Sequence, residues 1–218
     1  MPTDTSCTSG GQSSRLFFPR MRMLFLLGVV FVALGCAPSI GAARSDLQPN
    51  DLAVYRAVLD SMFVSAGDGR LTQLVLRDST GAVRQENLFE HLVKQFAHLP
   101  GADTAMVRDL AMRSRERHSL RELTRLGLRV PVTFANQEIL NSFPRQDPEK
   151  YWAQFYQKYP GSSGVIELSA IGYSPGQDLA IVMVDQGCGM LCGIGYIVAL
   201  RRVGGVWRIA AVQQTWVS

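Results

Sequence analysis

The chain has 218 residues, of which 47% are apolar, 9% aromatic and 18% charged, and its formal net charge is +4. This length fits one large domain or two small ones, and the apolar fraction excludes an intrinsically disordered chain, which combines low hydrophobicity with high net charge. The 20 glycines and 10 prolines follow no fixed period, which excludes a collagen-like or other fibrous repeat.

An unbroken apolar run spans residues 23–34 and follows three arginines. This layout predicts a signal peptide over residues 1–36, because the run is shorter than the roughly 20 residues of a membrane-spanning helix. A permanent membrane anchor is the alternative. The polar stretch before the run is long for a signal peptide, which makes Met21 or Met23 an alternative translation start.

The signal region ends in Ala33-Leu34-Gly35-Cys36, which resembles the lipobox of bacterial lipoproteins, although Ala33 stands where leucine is usual. In that motif the cysteine is lipidated and becomes the new N-terminus. We therefore expect lipidation at Cys36 and a protein anchored to the membrane by lipid. Cleavage by ordinary signal peptidase after Ser39 or Ala43 is the alternative, and it predicts a soluble periplasmic or secreted protein.

The remaining chain is predicted to form a polar lead-in over residues 37–49 and a single domain over residues 50–218. Residues 1–36 carry three arginines and one aspartate, so the net charge of the rest falls from +4 to +2. The exported domain is therefore nearly neutral.

Apolar residues recur every three or four positions along much of the first 160 residues, as in amphipathic helices. This spacing predicts a helix over residues 51–64, with Asn50 as its N-cap, and a second helix over residues 86–98. A third helix is predicted to begin at an N-cap formed by Asp103 or Thr104. Two more helices are predicted over residues 136–143 and, after Asp147-Pro148, over residues 149–159. Short strands are predicted over residues 73–80 and 130–134, and Pro131 confines the second to an edge or a strand end.

The last of these helices carries five aromatic residues at helical spacing, which are Tyr151, Trp152, Phe155, Tyr156 and Tyr159. Such a stripe is typical of a helix that packs on a core, with the polar tips of tyrosine and tryptophan left at its edge.

Seven arginines lie between residues 108 and 129. They alternate with acidic residues and no aromatic residues are interleaved for base stacking, so we interpret them as a solvated helical surface and expect no nucleic-acid partner. Ser119-Leu120-Arg121-Glu122 has the spacing of a capping box and predicts the start of a short helix.

Four runs rich in β-branched and aromatic residues follow residue 164, separated by short turn-forming segments. The runs are Val165–Tyr173, Leu179–Asp185, Ile194–Arg202 and Val206–Val217. Short connectors join neighbouring strands, which predicts an antiparallel meander of four or more strands. Alternation predicts one shared face for Ala180, Val182, Val184, Tyr196, Val198, Leu200, Trp207, Ile209 and Ala211. We therefore expect an α+β fold in which helices from the N-terminal half pack on this sheet.

The chain contains no nucleophile elbow, phosphate loop, dinucleotide fingerprint, zinc-protease motif or calcium loop. Its three histidines, His91, His98 and His118, are each expected at the surface or its boundary rather than as catalytic bases. We expect no cofactor, no metal and no catalytic residue, and lean against an enzyme.

The most unusual segment is Asp185–Tyr196, which includes four glycines and two cysteines, and its stretch Gln186–Gly193 is interpreted as a hairpin loop. Cys188 and Cys192 are the only cysteines after Cys36, and in an oxidising compartment such a pair favours a disulfide. A redox pair and two free thiols are the alternatives. Glycine permits both positive φ and close backbone approach.

This loop is also a candidate for recognition of a partner or lipid surface. The residues of the candidate recognition loop are Gly187, Gly189, Met190, Leu191 and Gly193, with Met190 and Leu191 as exposed apolar side chains. A candidate polar site on neighbouring strands comprises Glu167, Ser169, Tyr173, Asp185 and Arg201.

The C-terminal half also resembles an uncharacterised class of exported bacterial proteins. The similarity spans roughly residues 105–210 and comprises Tyr159-Pro160, Leu168-Ser169-Ala170-Ile171-Gly172-Tyr173, Cys188-Gly189-Met190-Leu191-Cys192-Gly193 and Gly205-Val206-Trp207. The class shows Tyr-Pro, Leu-Ser-x-Val-Gly-Phe, Cys-Gly-x-x-Cys-Gly and Gly-x-Trp in the same order. The resemblance implies that the protein is exported and has a fold similar to that of the class. It assigns no catalytic residue to this chain.

The sequence therefore predicts an exported cell-envelope protein that acts as a non-enzymatic binding or interaction module. Its partner would be an envelope protein or a small ligand. The alternative is a small hydrolase-like envelope enzyme, with a non-standard site beside the glycine- and cysteine-rich hairpin.

Overall fold

The structure is a computed structural model. It describes residues 47–66, 69–81, 90, 93–94, 96 and 103–218, all of which belong to one compact unit, Gly41–Ser218. The predicted signal peptide, the lipidation site at Cys36 and most of the helix predicted over residues 86–98 lie outside the described residues. In the described part of the chain, no helix is both long and apolar enough to span a membrane.

Four α-helices, two short helical turns and six strands have defined bounds, and the described residues 90, 93, 94 and 96 are also helical. The strands are β1 (Leu74–Arg77), β2 (Val132–Ala135), β3 (Val165–Tyr173), β4 (Leu179–Gly189), β5 (Cys192–Val203) and β6 (Val206–Val217). The helices are α1 (Pro49–Leu59), continued by a π turn (Asp60–Val64), α2 (Thr104–Arg113), a 3-10 turn (Arg121–Arg125), α3 (Gln137–Ser142) and α4 (Pro148–Lys158). The fold is α+β.

All six strands belong to one mixed sheet in the order β2-β1-β3-β4-β5-β6. Strands β3 to β6 are consecutive antiparallel neighbours, so the predicted meander is confirmed. Strand β1 instead pairs in parallel with both β2 and β3. Pro131 immediately precedes β2 at the sheet edge, where its missing N–H removes no ladder bond.

Apolar side chains pack on both faces of the sheet, because successive strand residues point to opposite sides. On one face, residues of α1 and the 3-10 turn share a cluster with strand residues such as Leu76 and Val182. On the other face, α2 packs against residues such as Ile181 and Ile197. Aromatic residues of α4 pack on that second face too, around Val75.

The predicted face of the meander is correct except for Ala211. The other residues of that set lie in the cluster that includes α1, or pack against it. Ala211 packs on the opposite face with Ala199. Between the pairs Ala199–Ala211 and Leu200–Ile209 the β6 register shifts by one residue, and such a bulge reverses the direction of every following side chain.

Two helices begin after the residues expected at their starts, Asp103 and Asp147, whereas Asn136, predicted as the first residue of its helix, is instead its N-cap. Asp103 accepts the N–H of Ala105, Asn136 that of Ile139, and Asp147 that of Lys150. The predicted N-cap Asn50 is wrong, because α1 begins at Pro49, two residues before the predicted start at residue 51, and the fixed φ of proline suits the first helical position. The Asn50 side chain instead accepts the indole N–H of Trp207 at 2.9 Å.

Tyr55 connects α1 to β3 through a buried hydrogen bond. Its hydroxyl donates to the carbonyl oxygen of Ser169 at 2.8 Å. Burial raises the pKa of Tyr55 well above its ordinary value; the charge of Asp51 adds to this effect and that of Arg113 opposes it. In the unfolded chain the same phenol ionises near pH 10. Above that pH the unfolded state binds fewer protons than the folded state, so stability falls as pH rises.

Because the Tyr55 phenol ionises in the unfolded chain and not in the folded one, we expect the free energy of unfolding to fall by up to about 1.4 kcal/mol for each pH unit above roughly pH 10. A Tyr55→Phe variant lacks this titration. It should be less stable by about 1 kcal/mol at pH 8, where it lacks the hydrogen bond, but should lose less stability between pH 8 and about pH 11. Urea unfolding of both proteins across this range measures the difference, and equal alkaline losses would contradict the assignment.

Candidate functional site

The segment expected as a glycine-rich loop is instead the paired end of a β-hairpin, whose register shifts between Gly187 and Gly189. Strand β4 continues to Gly189 and β5 begins at Cys192, so only Met190 and Leu191 form the turn. The long-loop interpretation was wrong because backbone pairing continues through the glycines, as in the partners Gly187 and Gly193.

The two cysteines lie at the base of this turn. Their Sγ atoms are 1.97 Å apart, which is a disulfide bonding distance, as the sequence predicted. The hydroxyl of Tyr156 on α4 donates to the carbonyl oxygen of Cys188 at 2.8 Å. The turn is therefore held both across its own base and against a helix.

The glycines of the hairpin provide space rather than unusual dihedral angles. Gly187, Gly189 and Gly193 all lack positive φ. A Cβ on Gly193 would lie 2.8 Å from the ring of Trp216, and one on Gly195 would lie 2.0 Å from its indole nitrogen. Side chains at these two positions would therefore displace Trp216, whose indole packs against the β5 backbone.

Apolar side chains are exposed at this end of the sheet. Met190 is 61% exposed and Leu191 is 84% exposed. Trp216 and Val217 on the adjoining end of β6 are also exposed, and Val217 pairs with Ile194 just beyond the turn. Neither residues 186–195 nor residues 209–218 include a charged side chain. We call Met190, Leu191, Trp216 and Val217 the hairpin end.

The five residues of the predicted polar site do not form one site. Only Glu167 and Asp185 are neighbours, as cross-strand partners on β3 and β4. Arg201 is exposed near the opposite end of the β4–β5 hairpin, where it pairs with Leu179.

Ser169 lies inside the β3 bulge, and its hydroxyl is already bonded on both sides. The hydroxyl donates to the carbonyl oxygen of Ala170 at 2.6 Å and accepts the N–H of Met183 at 2.8 Å. With Ser169 only 7% exposed, the pattern is that of a structural serine that satisfies backbone groups at a bulge.

Tyr173 belongs to a separate buried network around Asp51, which is 1% exposed. The Tyr173 hydroxyl donates to Asp51 at 2.9 Å, and Arg113 donates to both oxygens of the same carboxylate at 3.2 and 3.1 Å. Arg113 also donates to the carbonyl oxygen of Ile171. Burial, and then the adjacent Asp51, raise the pKa of Tyr173 above its ordinary value. These contacts connect α1, α2 and β3, and we interpret the network as structural.

A cleft of about 370 Å³ lies beside the base of the hairpin, on the α4 face of the sheet. Its floor carries the carboxylates of Glu167 and Asp185. The groups around them come from β1, the α3–α4 connection, α4 and β6, and include Arg77, Arg145, Tyr151 and Trp216. We call this the Glu167–Asp185 cleft.

Hydrogen bonds and ion pairs hold the charged groups of this cleft. The indole N–H of Trp216 donates to Oδ1 of Asp185 at 2.7 Å, and the Nε atom of Arg77 is 4.0 Å from Oε2 of Glu167. Burial raises the pKa of Asp185; the Trp216 hydrogen bond opposes this effect and the charge of Glu167 adds to it. Among the described residues, these two contacts are the only hydrogen bond and ion pair to the two adjacent carboxylates on the floor.

No protein-family model, curated protein or solved structure matches the chain. Any function must therefore be argued from the geometry. The residues that the structure describes include no group of three or more His, Cys, Asp or Glu side chains able to hold a metal ion.

Sequence reasoning found the two carboxylates of the cleft but missed the residues around them. Arg77, Arg145 and Trp216 come from distant parts of the chain, and no local pattern marks them. The available signal for Trp216 was the pair Gly193 and Gly195, whose missing side chains leave room for a large neighbour on the next strand. Tyr151 was interpreted only as part of the aromatic core stripe.

Of the three histidines, only His118 is described. Its Nε2 atom lies 3.1 Å from the carbonyl oxygen of Arg113, and its backbone N–H donates to Thr80. His91 and His98 lie outside the described residues.

Proposed function

We propose that this protein is an exported, non-enzymatic interaction module of the bacterial cell envelope, which binds a protein partner through the hairpin end. The observation that carries the proposal is the exposure of two large apolar side chains, Met190 at 61% and Leu191 at 84%, on a two-residue turn. Exposed apolar patches on folded domains are typical of interaction sites.

The rigidity of the hairpin end supports a specific contact. The cysteine pair closes the base of the turn, and the Tyr156 hydrogen bond ties it to α4. A preorganised turn loses little conformational entropy when it binds, so more of the free energy of burying Met190 and Leu191 is available for affinity. Two apolar anchors presented in this way suit an apolar pocket on a partner.

Charge favours a protein partner over a lipid surface. Anionic membrane surfaces attract lysine and arginine, and such residues contribute much of the affinity of peripheral membrane proteins. Residues 186–195 and 209–218 include neither. An uncharged, rigid apolar end is better suited to a pocket on another protein.

Export and lipidation at Cys36 are part of this proposal, supported by the apolar run, the lipobox-like segment and the resemblance to exported bacterial proteins. The ten residues between Cys36 and Leu47 can span at most about 36 Å, so a lipidated protein would hold its domain close to the membrane. The intact mass of protein from the membrane fraction tests this part, since an unmodified Cys36 would leave a soluble exported module.

The interaction itself is tested by a double variant, Met190→Ser with Leu191→Ser. Removing one buried leucine contact alone costs about 1.5–3 kcal/mol, so the variant should bind a purified partner at least tenfold more weakly. The partner is first identified by cross-linking the wild-type protein in envelope extract, then purified, and its affinity is measured by calorimetry.

The matched control is Val203→Ser with Val206→Ser, which removes exposed apolar side chains at the opposite end of the same sheet. This control should bind as tightly as the wild type. Equal affinity of the Met190/Leu191 variant would refute the proposal. Association of the wild type with phosphatidylcholine vesicles, lost in that variant alone, would instead identify the hairpin end as a lipid contact.

A small hydrolase is the second candidate, and the observation that favours it is the pair Glu167 and Asp185 in the cleft. Two neighbouring carboxylates, one with a raised pKa, suit general acid and base roles. Ser169 does not suit the role of nucleophile, because its hydroxyl is bonded within the bulge. Hydrolysis of chromogenic glycosides by the wild type, lost in Glu167→Gln, would support this candidate over the first.

A further inference from the structure

We propose that the Glu167–Asp185 cleft is a binding site for a small ligand that carries a primary ammonium group. The cleft shares Trp216 with the hairpin end, but its proposed ligand is held by Glu167 and Asp185 and not by Met190 and Leu191, so the tests of the two proposals are independent. A volume of about 370 Å³ lies within the range of small-molecule sites.

The floor of the cleft presents two carboxylates side by side. Glu167 and Asp185 are directly opposite each other on β3 and β4, so their side chains project from the same face of the sheet. Like charges directly opposite each other on neighbouring strands destabilise each other. A positively charged donor placed between them would relieve that repulsion and hydrogen-bond to both carboxylates.

Among the described residues, the charged and titratable groups around the two carboxylates come from β1, the α3–α4 connection and α4, and none of them lies closer than 4.0 Å in an ion pair. Arg77 on β1 approaches Glu167 only to 4.0 Å and also donates to the side chain of Gln137. Arg145, in the connection between α3 and α4, donates to Asn141. On α4, burial raises the pKa of Tyr151 above its ordinary value, so its phenol stays neutral at physiological pH.

Aromatic groups add a second reason to expect an ammonium ligand. Trp216 is 43% exposed where it borders the cleft, although its N–H is held by Asp185. Tyr151 also lines the cleft. The negative face of an aromatic ring attracts ammonium groups, so this attraction would act on a ligand cation over the ring of Trp216 or Tyr151, and not at the indole N–H edge that donates to Asp185.

The guanidinium groups of Arg77 and Arg145 border the same cleft, so the rest of the ligand should carry hydrogen-bond acceptors. Hydroxyl groups of an amino sugar and the carboxylate of an amino acid both meet this requirement. The shared chemistry is a primary ammonium group with nearby acceptors, and the experiment must distinguish the two sources.

The indole N–H of Trp216 provides a reporter, because it donates directly to Asp185. Its NMR signal, identified among three tryptophans by its loss in Trp216→Phe, is followed as glucosamine or lysine is added to the full-length protein. The matched probes are N-acetylglucosamine and Nα,Nε-diacetyl-lysine, in which every amine is blocked and no ammonium group remains. We expect saturable shifts with an amine and binding at least tenfold weaker with its acetylated counterpart.

Two variants test the carboxylates, and each retains the shape of its side chain. Asp185→Asn and Glu167→Gln should each weaken binding of the amine at least tenfold. The control Glu149→Gln, an exposed carboxylate on α4 outside the cleft lining, should bind as the wild type does. Calorimetry measures the affinities of the variants, and thermal unfolding confirms that each one is folded.

Stronger binding of glucosamine would assign the site to an amino sugar, and stronger binding of lysine would assign it to an amino acid.

For the preferred amine, affinity should fall as pH decreases, since protonation of Asp185 removes one of the two charges that hold the ligand. The proposal is overturned if no amine shifts the Trp216 signal, if the acetylated probes bind equally well, or if both carboxylate variants bind like the wild type.

Discussion

Replacing Gly172 by alanine should destabilise the protein by about 3 kcal/mol, the upper end of the usual cost of overpacking a core. Helix α2 lies directly against β3 at this residue. An added Cβ would lie 2.2 Å from the carbonyl oxygen of Met106 and 2.7 Å from the backbone nitrogen of Leu110. Because both contacts are to helix backbone, no side-chain rotation can relieve them, and α2 must move away from the sheet.

Urea unfolding of Gly172→Ala measures the expected loss, with Gly187→Ala as the matched control. Gly187 also lies within a strand of the meander, but its added Cβ would be no closer than 3.5 Å to any neighbour, an ordinary van der Waals contact. The control should therefore change stability by less than about 1 kcal/mol. Equal losses in the two variants would show that the contact with α2 is not the cause.

Replacing Asp51 by alanine should cost about 3–5 kcal/mol, since it removes one partner of a buried ion pair. The Asp51 carboxylate accepts hydrogen bonds from Arg113, from the Tyr173 hydroxyl and from the backbone N–H of Gln48. Without Asp51, three donors lose their acceptor together, and the charge of Arg113 remains partly buried.

The matched control is Asp78→Ala, which breaks a more exposed ion pair of similar length. The Arg121–Asp78 pair is 3.0 Å long with its arginine 66% exposed, and such pairs contribute about 0–1 kcal/mol. A double variant, Asp51→Ala with Arg113→Met, should be more stable than Asp51→Ala alone, because no unpaired charge remains. A loss in Asp51→Ala no larger than in Asp78→Ala would contradict the structural role of the network.

Much of the local structure was predictable because its causes lie within a few residues of sequence. Asp103 and Asp147 cap helices where the sequence placed them, since a cap needs only its own side chain and the next turn. The meander was predictable for the same reason, because short connectors leave adjacent strands few alternatives. Even Ala211 was misplaced only because a bulge, which depends on pairing with β5, shifted its register.

The candidate sites were predictable only where they depend on neighbours along the hairpin. The cysteine pair and the exposed Met190 and Leu191 lie within five residues of each other. Glu167 and Asp185 lie opposite each other, since β3 and β4 are joined by a short turn. Arg201 and Tyr173 lie away from them, because strands β3 to β5 are long enough to hold residues at opposite ends.

The sequence by itself determined the class of fold, the four-stranded meander and the position of the hairpin end, because periodicity, caps and short turns act locally. Only the tertiary structure decided that β1 and β2 join the sheet in parallel and that Arg77, Tyr151 and Trp216 surround the two carboxylates. Those arrangements depend on pairing and packing between segments far apart in the chain, and no local pattern specifies which partner such a segment will have.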